Sequence, residues 1–298
     1  MAKSILEKLS AGKILLSDGA MGTELQKKGL RTGNCPEELN FTQPELIQQV
    51  HKSYYDAGSD IVQTNSFGAN KIRLALFQME DRAADFARRS AELAREVCPK
   101  GKFVAGSIGP TGEGLIPQGP LTIKEAYTAF CRQAEALAEG GADILFIETM
   151  MSIEEAETAV KAARKKTNLP VAASMTFEVG NGAIRTIWGA DVKTSVRRLE
   201  DAGADIIGSN CGRGFGEMLQ VMREMRSLTE LPLMAQSNAG IPEWKDGVGI
   251  YRETPDMIIR DAEKMLETGV NIIGGCCGTG PEHIQAIGKL VEKINSKK

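Results

Sequence analysis

Short apolar runs of strand length recur along the chain at Ile14–Leu16, Ile61–Thr64, Phe103–Ile108, Ile144–Ile147, Val171–Thr176, Ile206–Gly208, Leu233–Gln236 and Ile272–Gly275. Each consecutive pair is separated by a segment able to hold at least one helix. Runs with no polar alternation are how parallel strands read when helices cover their outer face. Eight near-regular units predict an α/β fold, a single (β/α)8 barrel in preference to an open doubly wound sheet.

An internal phrase supports this. Asp56-Ala-Gly58-Ser-Asp60-Ile61 resembles Glu139-Gly-Gly141-Ala-Asp143-Ile144 and Asp201-Ala-Gly203-Ala-Asp205-Ile206, with a weaker copy at Glu267-Thr-Gly269-Val-Asn271-Ile272. Each copy is a helix end, a glycine able to take a left-handed cap, and a strand start. The copies precede the second, fourth, sixth and eighth strands, as a closed alternating repeat requires. The longest irregular stretches, Gly29–Leu39, Gly109–Leu121 and Gly240–Tyr251, follow or lie near strand C-terminal ends, where barrels carry their working loops. No linker interrupts the pattern, and residues 1–298 read as one domain.

Composition narrows the function classes. The net charge is −3 and aromatics are 5%, which lacks the basic footprint of a nucleic-acid binder. Lys27-Lys28 and Arg164-Lys165-Lys166 read as solvated helix ends. The amphipathic opening MAKSILEKLS does not read as a signal peptide, and no apolar stretch approaches the roughly 20 residues that span a bilayer. A cytoplasmic protein is expected. Its six cysteines then argue against a disulfide framework, and Cys35, Cys98 and Cys131 read as core or incidental positions. His51 and His283 fall in helical patterns and read as surface or helix-terminal residues, not ligands.

Polar and thiol groups gather after the strands: Asp18-Gly19-Ala20-Met21 after the first, Thr64-Asn65-Ser66 after the second, and Glu148-Thr149 after the fourth. Ser209-Asn210-Cys211 ends the sixth, Ser237-Asn238 the seventh and Gly275-Cys276-Cys277-Gly278 the eighth. In a barrel these share one rim, the catalytic one. Three thiolates with an open fourth position describe a catalytic zinc site. Adjacent cysteines can bind one metal only if the chain turns there, and the flanking Gly274-Gly275 and Gly278 permit it. Buried cysteines in a glycine-rich loop, or a vicinal disulfide acting as a redox switch, remain open at this point.

The motifs DGAMGTEL (Asp18–Leu25), QTNSFGAN (Gln63–Asn70), IGPTGE (Ile108–Glu113), FIET (Phe146–Thr149), SNC (Ser209–Cys211), SNAG (Ser237–Gly240) and GGCCGT (Gly274–Thr279) span nearly the whole chain. Together they resemble the homocysteine S-methyltransferase family, which includes the homocysteine-binding module of cobalamin-dependent methionine synthase. The resemblance implies a TIM-type barrel with catalytic zinc held at the C-terminal rim by Cys211, Cys276 and Cys277. The zinc would bind the sulfur of L-homocysteine as a thiolate, which then accepts a methyl group to give methionine. A free thiol, with a pKa of about 8.5, is mostly protonated at neutral pH, and coordination deprotonates it. By the same resemblance Glu148 takes the amino-acid ammonium, and the backbone of Gly19, Ala20 and Met21, beside Asp18, takes the carboxylate. Asn238 matches a displaceable fourth zinc ligand. Betaine-type members use a tyrosine after strand two, where this chain has Gly68.

The family fixes the acceptor better than the donor. The phrases CPEELN (Cys35–Asn40), IGPTGEG (Ile108–Gly114) and SNAG look most like the methionine synthase module, which implies methylcobalamin. No DxHxxG cobalamin motif is present, so the chain is expected either to take its methyl group from a separate corrinoid protein or to be the homocysteine module of a larger enzyme. Other readings are a donor such as S-methylmethionine, S-adenosylmethionine or a betaine, and a non-catalytic zinc-binding partner of a corrinoid protein. Met150, where relatives often carry an aromatic, and the loop residues Trp188 and Trp244 also set this chain apart.

Overall fold

The computed structural model describes residues 4–180, 182–245 and 248–297. The first three residues of the amphipathic opening and two residues of the Gly240–Tyr251 stretch lie outside them. Eight parallel strands form one sheet: β1 (Leu15–Leu16), β2 (Ile61–Gln63), β3 (Phe103–Ile108), β4 (Ile144–Met150), β5 (Val171–Met175), β6 (Ile206–Cys211), β7 (Leu233–Ser237) and β8 (Val270–Gly275). Each pairs with its sequence neighbour, and β8 pairs with β1 at Leu15↔Ile272. A parallel bridge between Ser17 and Ile61 joins β1 to β2 and closes the ring. Helices follow the strands around the outside, so the expected α/β barrel is the fold observed.

Side chains alternate between two apolar layers. Leu15, Ile61, Phe103, Ala105, Ile144, Phe146, Ala172, Ile206, Met234 and Ile272 fill the barrel with Ile5 and Leu9, which come from the helix Ile5–Ser10. Leu16, Val62, Val104, Leu145, Ala173 and Ile207 face outward and are covered by helices. Both faces of every strand are therefore dry, which is why the strands read as continuous apolar runs.

The repeated phrase has one structural task, performed four times. Its glycines, Gly58, Gly141, Gly203 and Gly269, all adopt positive φ (+105°, +97°, +96° and +92°), which ends the helix cheaply. The polar residue two positions later then reaches across to the preceding strand. Asp60 accepts from the Leu16 amide at 3.0 Å, Asp143 from Val104 at 2.8 Å, Asp205 from Val171 at 2.8 Å and Asn271 from Leu233 at 2.9 Å. The strands are thus stapled in pairs at the end of the barrel opposite the rim.

His51 differs from its expected surface position. It lies in the middle of the helix Pro44–Asp56, fully buried on the same face as Ile47, Val50, Tyr54 and Tyr55. The helical period carried that face inward together with the histidine. His283 does sit in the first turn of the helix Pro281–Asn295. Two small antiparallel hairpins, Glu178–Gly180 with Ala183–Arg185 and Glu243–Lys245 with Val248–Ile250, stand on the rim after β5 and β7. No helix of the described residues is long and apolar enough to cross a membrane.

Candidate metal centre

β6 and β8 end where their cysteines face one another. The sulfurs of Cys211, Cys276 and Cys277 all lie within 4.8 Å of each other, and Cys211 Sγ is 3.0 Å from Cys276 Sγ. The turn that brings the two adjacent cysteines to one side is built by Gly278, at φ +83°, and by Thr279. The amide of Thr279 donates to the Cys276 carbonyl at 3.1 Å and its hydroxyl to the same oxygen at 2.6 Å. Gly275 and Gly19 give Thr279 its space: a Cβ would fall 2.0 Å from its Oγ1 at Gly275 and 2.4 Å from its carbonyl oxygen at Gly19. Cys211 ends β6 at φ 60°, a left-handed conformation unusual for a side-chain-bearing residue.

β7 lies between the two cysteine segments and binds both. The Cys276 amide donates to Ser237 O at 2.8 Å, Ala239 to Cys277 O at 2.9 Å and Asn238 to Cys211 O at 3.2 Å. The Asn238 side chain donates to Gly212 O at 2.7 Å, which turns its Oδ1 away, and that buried oxygen has no hydrogen-bond partner among the described residues. An orphaned acceptor is costly unless something binds it.

The three thiols act on one another's ionisation. Hydrogen bonds from Cys211 and Cys276 hold the Cys277 thiol well below the ordinary range, while Cys276 is pushed well above it by the other two thiols and by burial. One sulfur is thus charged at the expense of its neighbours, and three thiolates can coexist only around a positive ion. Three soft sulfur donors in a closed cluster suit zinc, and the unpartnered Asn238 oxygen fits a weaker fourth position.

Two carboxylates complete the rim. Glu148, next to the end of β4, is buried and accepts from Ser107 Oγ at 2.6 Å and from Asn210 Nδ2 at 3.4 Å. Burial, opposed by the Ser107 bond and reinforced by the Cys277 charge, raises its pKa to about 7. Asp18 accepts from the Gln63 amide at 2.7 Å and from Ser17 Oγ at 3.3 Å. Its pKa is raised to about 8, first by burial and also by the charge of Glu148. No basic side chain is among the groups acting on either acid. Two buried carboxyls that repel each other offer a site for a ligand ammonium.

The Gly19-Ala20-Met21 backbone is more committed than its sequence promised. The Ala20 amide donates to Thr279 O at 3.0 Å, so an incoming carboxylate must be met by other amides. Met21 opens the helix Met21–Lys27 with no side-chain cap. A side chain at Gly68 would have to displace Glu37 and Arg73, since a Cβ there would meet Glu37 Oε1 at 2.9 Å and Arg73 Cδ at 3.0 Å. Trp188 and Trp244 are exposed on the rim hairpins and their loops, and Trp188 borders a groove of about 570 Å³ with Leu115, Ile116, Ile123 and Met151.

Asn210 carries no assigned role in the sequence, yet it is the most connected polar residue of the site. It is fully buried and touches Glu148, Thr149, Ser174, Cys211 and Cys276. Its one sequence signal is its place beside Cys211, which an ordinary turn asparagine would share.

The chain is similar to several known proteins. The homocysteine S-methyltransferase family profile matches residues 15–291. Methionine synthases from Mycobacterium leprae and Mycobacterium tuberculosis are each 31% identical, over 98% and 95% of this chain. The chain spans about a quarter of their length, 25% in both cases. Among solved structures, the metallated form of the homocysteine methyltransferase MmuM from Escherichia coli superposes with a TM-score of 0.79 at 25% identity, covering 94% of this chain and 97% of that one. Its oxidized form gives 0.78 at 26% identity, with 94% and 96% covered. The chain belongs to the homocysteine S-methyltransferase family.

Proposed function

We propose that the chain is a zinc-dependent methyltransferase that activates the thiol of L-homocysteine to accept a methyl group, giving methionine. The observation that carries this reading is the pairing of a three-cysteine cluster with two buried carboxyls that have no basic partner among the described residues. Such a pocket suits a ligand with a thiol at one end and an ammonium at the other. A thiol sensor would have no use for the acids.

Cys211, Cys276 and Cys277 would hold the ion, with Asn238 Oδ1 filling the fourth place until substrate displaces it. Zinc held there would supply Lewis acidity that makes the incoming thiol a thiolate at neutral pH. Glu148 binds the substrate ammonium, and the ion pair draws the proton from its raised carboxyl. Asp18 adds a second negative charge to the same end. The Gly19 and Met21 amides receive the carboxylate, that of Ala20 being held by Thr279 O.

The methyl donor is a methylated corrinoid-binding unit lying outside residues 1–298, which act as one homocysteine-binding unit. The similarity to methionine synthases supports this, as does the exposed apolar rim of Ile116, Ile187, Trp188, Ile241 and Trp244. Six free thiols suit the reducing cytoplasm.

The test is elemental analysis for zinc together with calorimetric binding of L-homocysteine. Stoichiometric zinc and proton release on binding support thiol activation. Absence of homocysteine binding to zinc-loaded protein overturns it. For the donor, turnover with S-methylmethionine and none with methylcobalamin would overturn the corrinoid assignment.

A further inference from the structure

Thr149 and Cys211 are both side-chain-bearing residues in the left-handed region, at φ 59° and 60°, and they sit side by side, Thr149 Oγ1 being 3.8 Å from Cys211 Sγ. For a β-branched residue such as Thr149 this conformation is strained, and it persists only where its surroundings impose it. The side chain of Asn210 bonds Thr149 at two points, its backbone nitrogen and its hydroxyl.

The amide of Asn210 has one possible orientation. A backbone N–H can only donate, so the atom 2.7 Å from the Thr149 nitrogen must be the Asn210 oxygen. The same oxygen accepts from Ser174 Oγ at 2.8 Å. Nδ2 therefore faces four acceptors: Thr149 Oγ1 at 2.7 Å, Glu148 Oε2 at 3.4 Å, Cys276 Sγ at 3.8 Å and Cys211 Sγ at 3.9 Å. One of its hydrogens goes to Thr149. The other is shared between the carboxylate and the two sulfurs.

We propose that Asn210 is a positioning residue that couples the two halves of the substrate site, setting the place of Glu148 and the electron density of the metal-binding sulfurs through a single amide. This rests on the function proposed above. A hydrogen bond to a thiolate withdraws charge from it, so the ion it binds becomes a stronger Lewis acid toward the incoming thiol. The same bond is in competition with Glu148. When a ligand ammonium engages Glu148, the shared hydrogen turns toward the sulfurs. Recognition of the amino acid thereby favours activation of its thiol, and a thiol without an ammonium does not receive that benefit.

The test uses the full chain loaded with cobalt(II) in place of zinc, comparing wild type with Asn210→Ala. The sulfur-to-cobalt charge-transfer band is expected to move to longer wavelength in the variant, because the thiolates regain charge. The preference for homocysteine over 4-mercaptobutanoate, the same thiol acid without the ammonium, is expected to fall about tenfold, the scale of one hydrogen bond to a charged group. An unmoved band overturns the proposal, whether or not the preference changes. If Asn210→Ala does not fold, Asn210→Ser replaces it, since its short hydroxyl loses Nδ2 and its reach to the sulfurs and should move band and preference in the same directions. The function proposed above fails separately, through wild-type protein that takes up metal but not homocysteine. The cobalt band of the variant still reports on Asn210 in that case.

Discussion

Cys211 and Cys276, 65 residues apart in the chain, hold their sulfurs 3.0 Å from each other. Two thiolates on one tetrahedral zinc, at about 2.3 Å each, stand about 3.8 Å apart, so the sulfurs need only part slightly to share an ion, and the barrel alone brings them together. β6 and β8 are both hydrogen-bonded to β7, and the apolar layers that fix all three strands lie below the rim. Cys276→Ala is therefore expected to lose its zinc while keeping a cooperative thermal transition. Elemental analysis and circular dichroism check the two halves. Loss of cooperative unfolding would make the site a structural one.

Glu148→Ala should weaken homocysteine binding while zinc remains stoichiometric, since among the described residues no hydrogen bond joins the acid directly to a sulfur and Asn210 lies between them. A charge-assisted hydrogen bond contributes about 1.5–3 kcal/mol, so Kd should rise about tenfold to a hundredfold. Glu148→Gln should behave similarly, because it retains shape and loses charge. Titration calorimetry of both variants decides the matter, and an unchanged affinity removes Glu148 from the ammonium site.

The raised carboxyls predict a pH dependence of stability with a definite sign. In the unfolded chain Asp18 and Glu148 ionise near 3.8 and 4.5, whereas the folded protein retains their protons up to about 8 and about 7. The folded state thus binds more protons between these limits, and its stability falls as pH rises from about 4 through about 8. Thermal melts of the metal-free protein across that range should show the decline, and Glu148→Gln should flatten it. Homocysteine reverses the sign for these groups by favouring their ionised forms. Proton release on binding at pH 7 should therefore exceed the proton lost by the thiol alone, and fall in Glu148→Gln.

The fold was legible in the sequence because its strands are dry on both faces and its helix ends repeat one phrase. The strand ends were less so. β4 continues past Ile147 to Met150 and β6 past Gly208 to Cys211, carrying Glu148, Thr149, Asn210 and Cys211 on extended or strained backbone that apolar periodicity does not register. The rim hairpins were missed because their positions are mostly exposed and short, so no burial pattern marks them. The cysteines were legible by residue type and spacing. Asn210 was not, since its importance lies in contacts to strands distant in sequence. His51 was misplaced because a polar side chain on an apolar helical face gives no sign of being buried without a partner.

The fourfold staple explains why the phrase recurs, and it can be tested away from the metal. Asp205 accepts from the Val171 amide at 2.8 Å and pairs with Arg164 at 3.0 Å. Asp205→Ala leaves that amide without its acceptor, at a cost of about 1–3 kcal/mol. Urea denaturation should report the loss, with zinc content and homocysteine affinity unchanged. A simultaneous loss of zinc would mean that the two ends of the barrel are coupled.

His51 supplies the opposite pH trend from the carboxyls. Both ring nitrogens are buried with no hydrogen-bond partner among the described residues, and burial lowers the pKa from 6.5 to about 4. The unfolded chain takes up a proton on this residue as pH falls below 6.5, while the folded one resists until about 4, so stability is lost in that window on acidification. An apolar side chain of similar reach removes both the unpartnered nitrogens and the linkage. His51→Leu should therefore raise Tm at every pH, and by more at pH 5 than at pH 7.5. Equal gains at the two pH values would show that the imidazole is not held neutral by burial. A lower Tm throughout would show that it meets a partner in solution, such as a buried water, whose hydrogen bonds outweigh the desolvation of the ring.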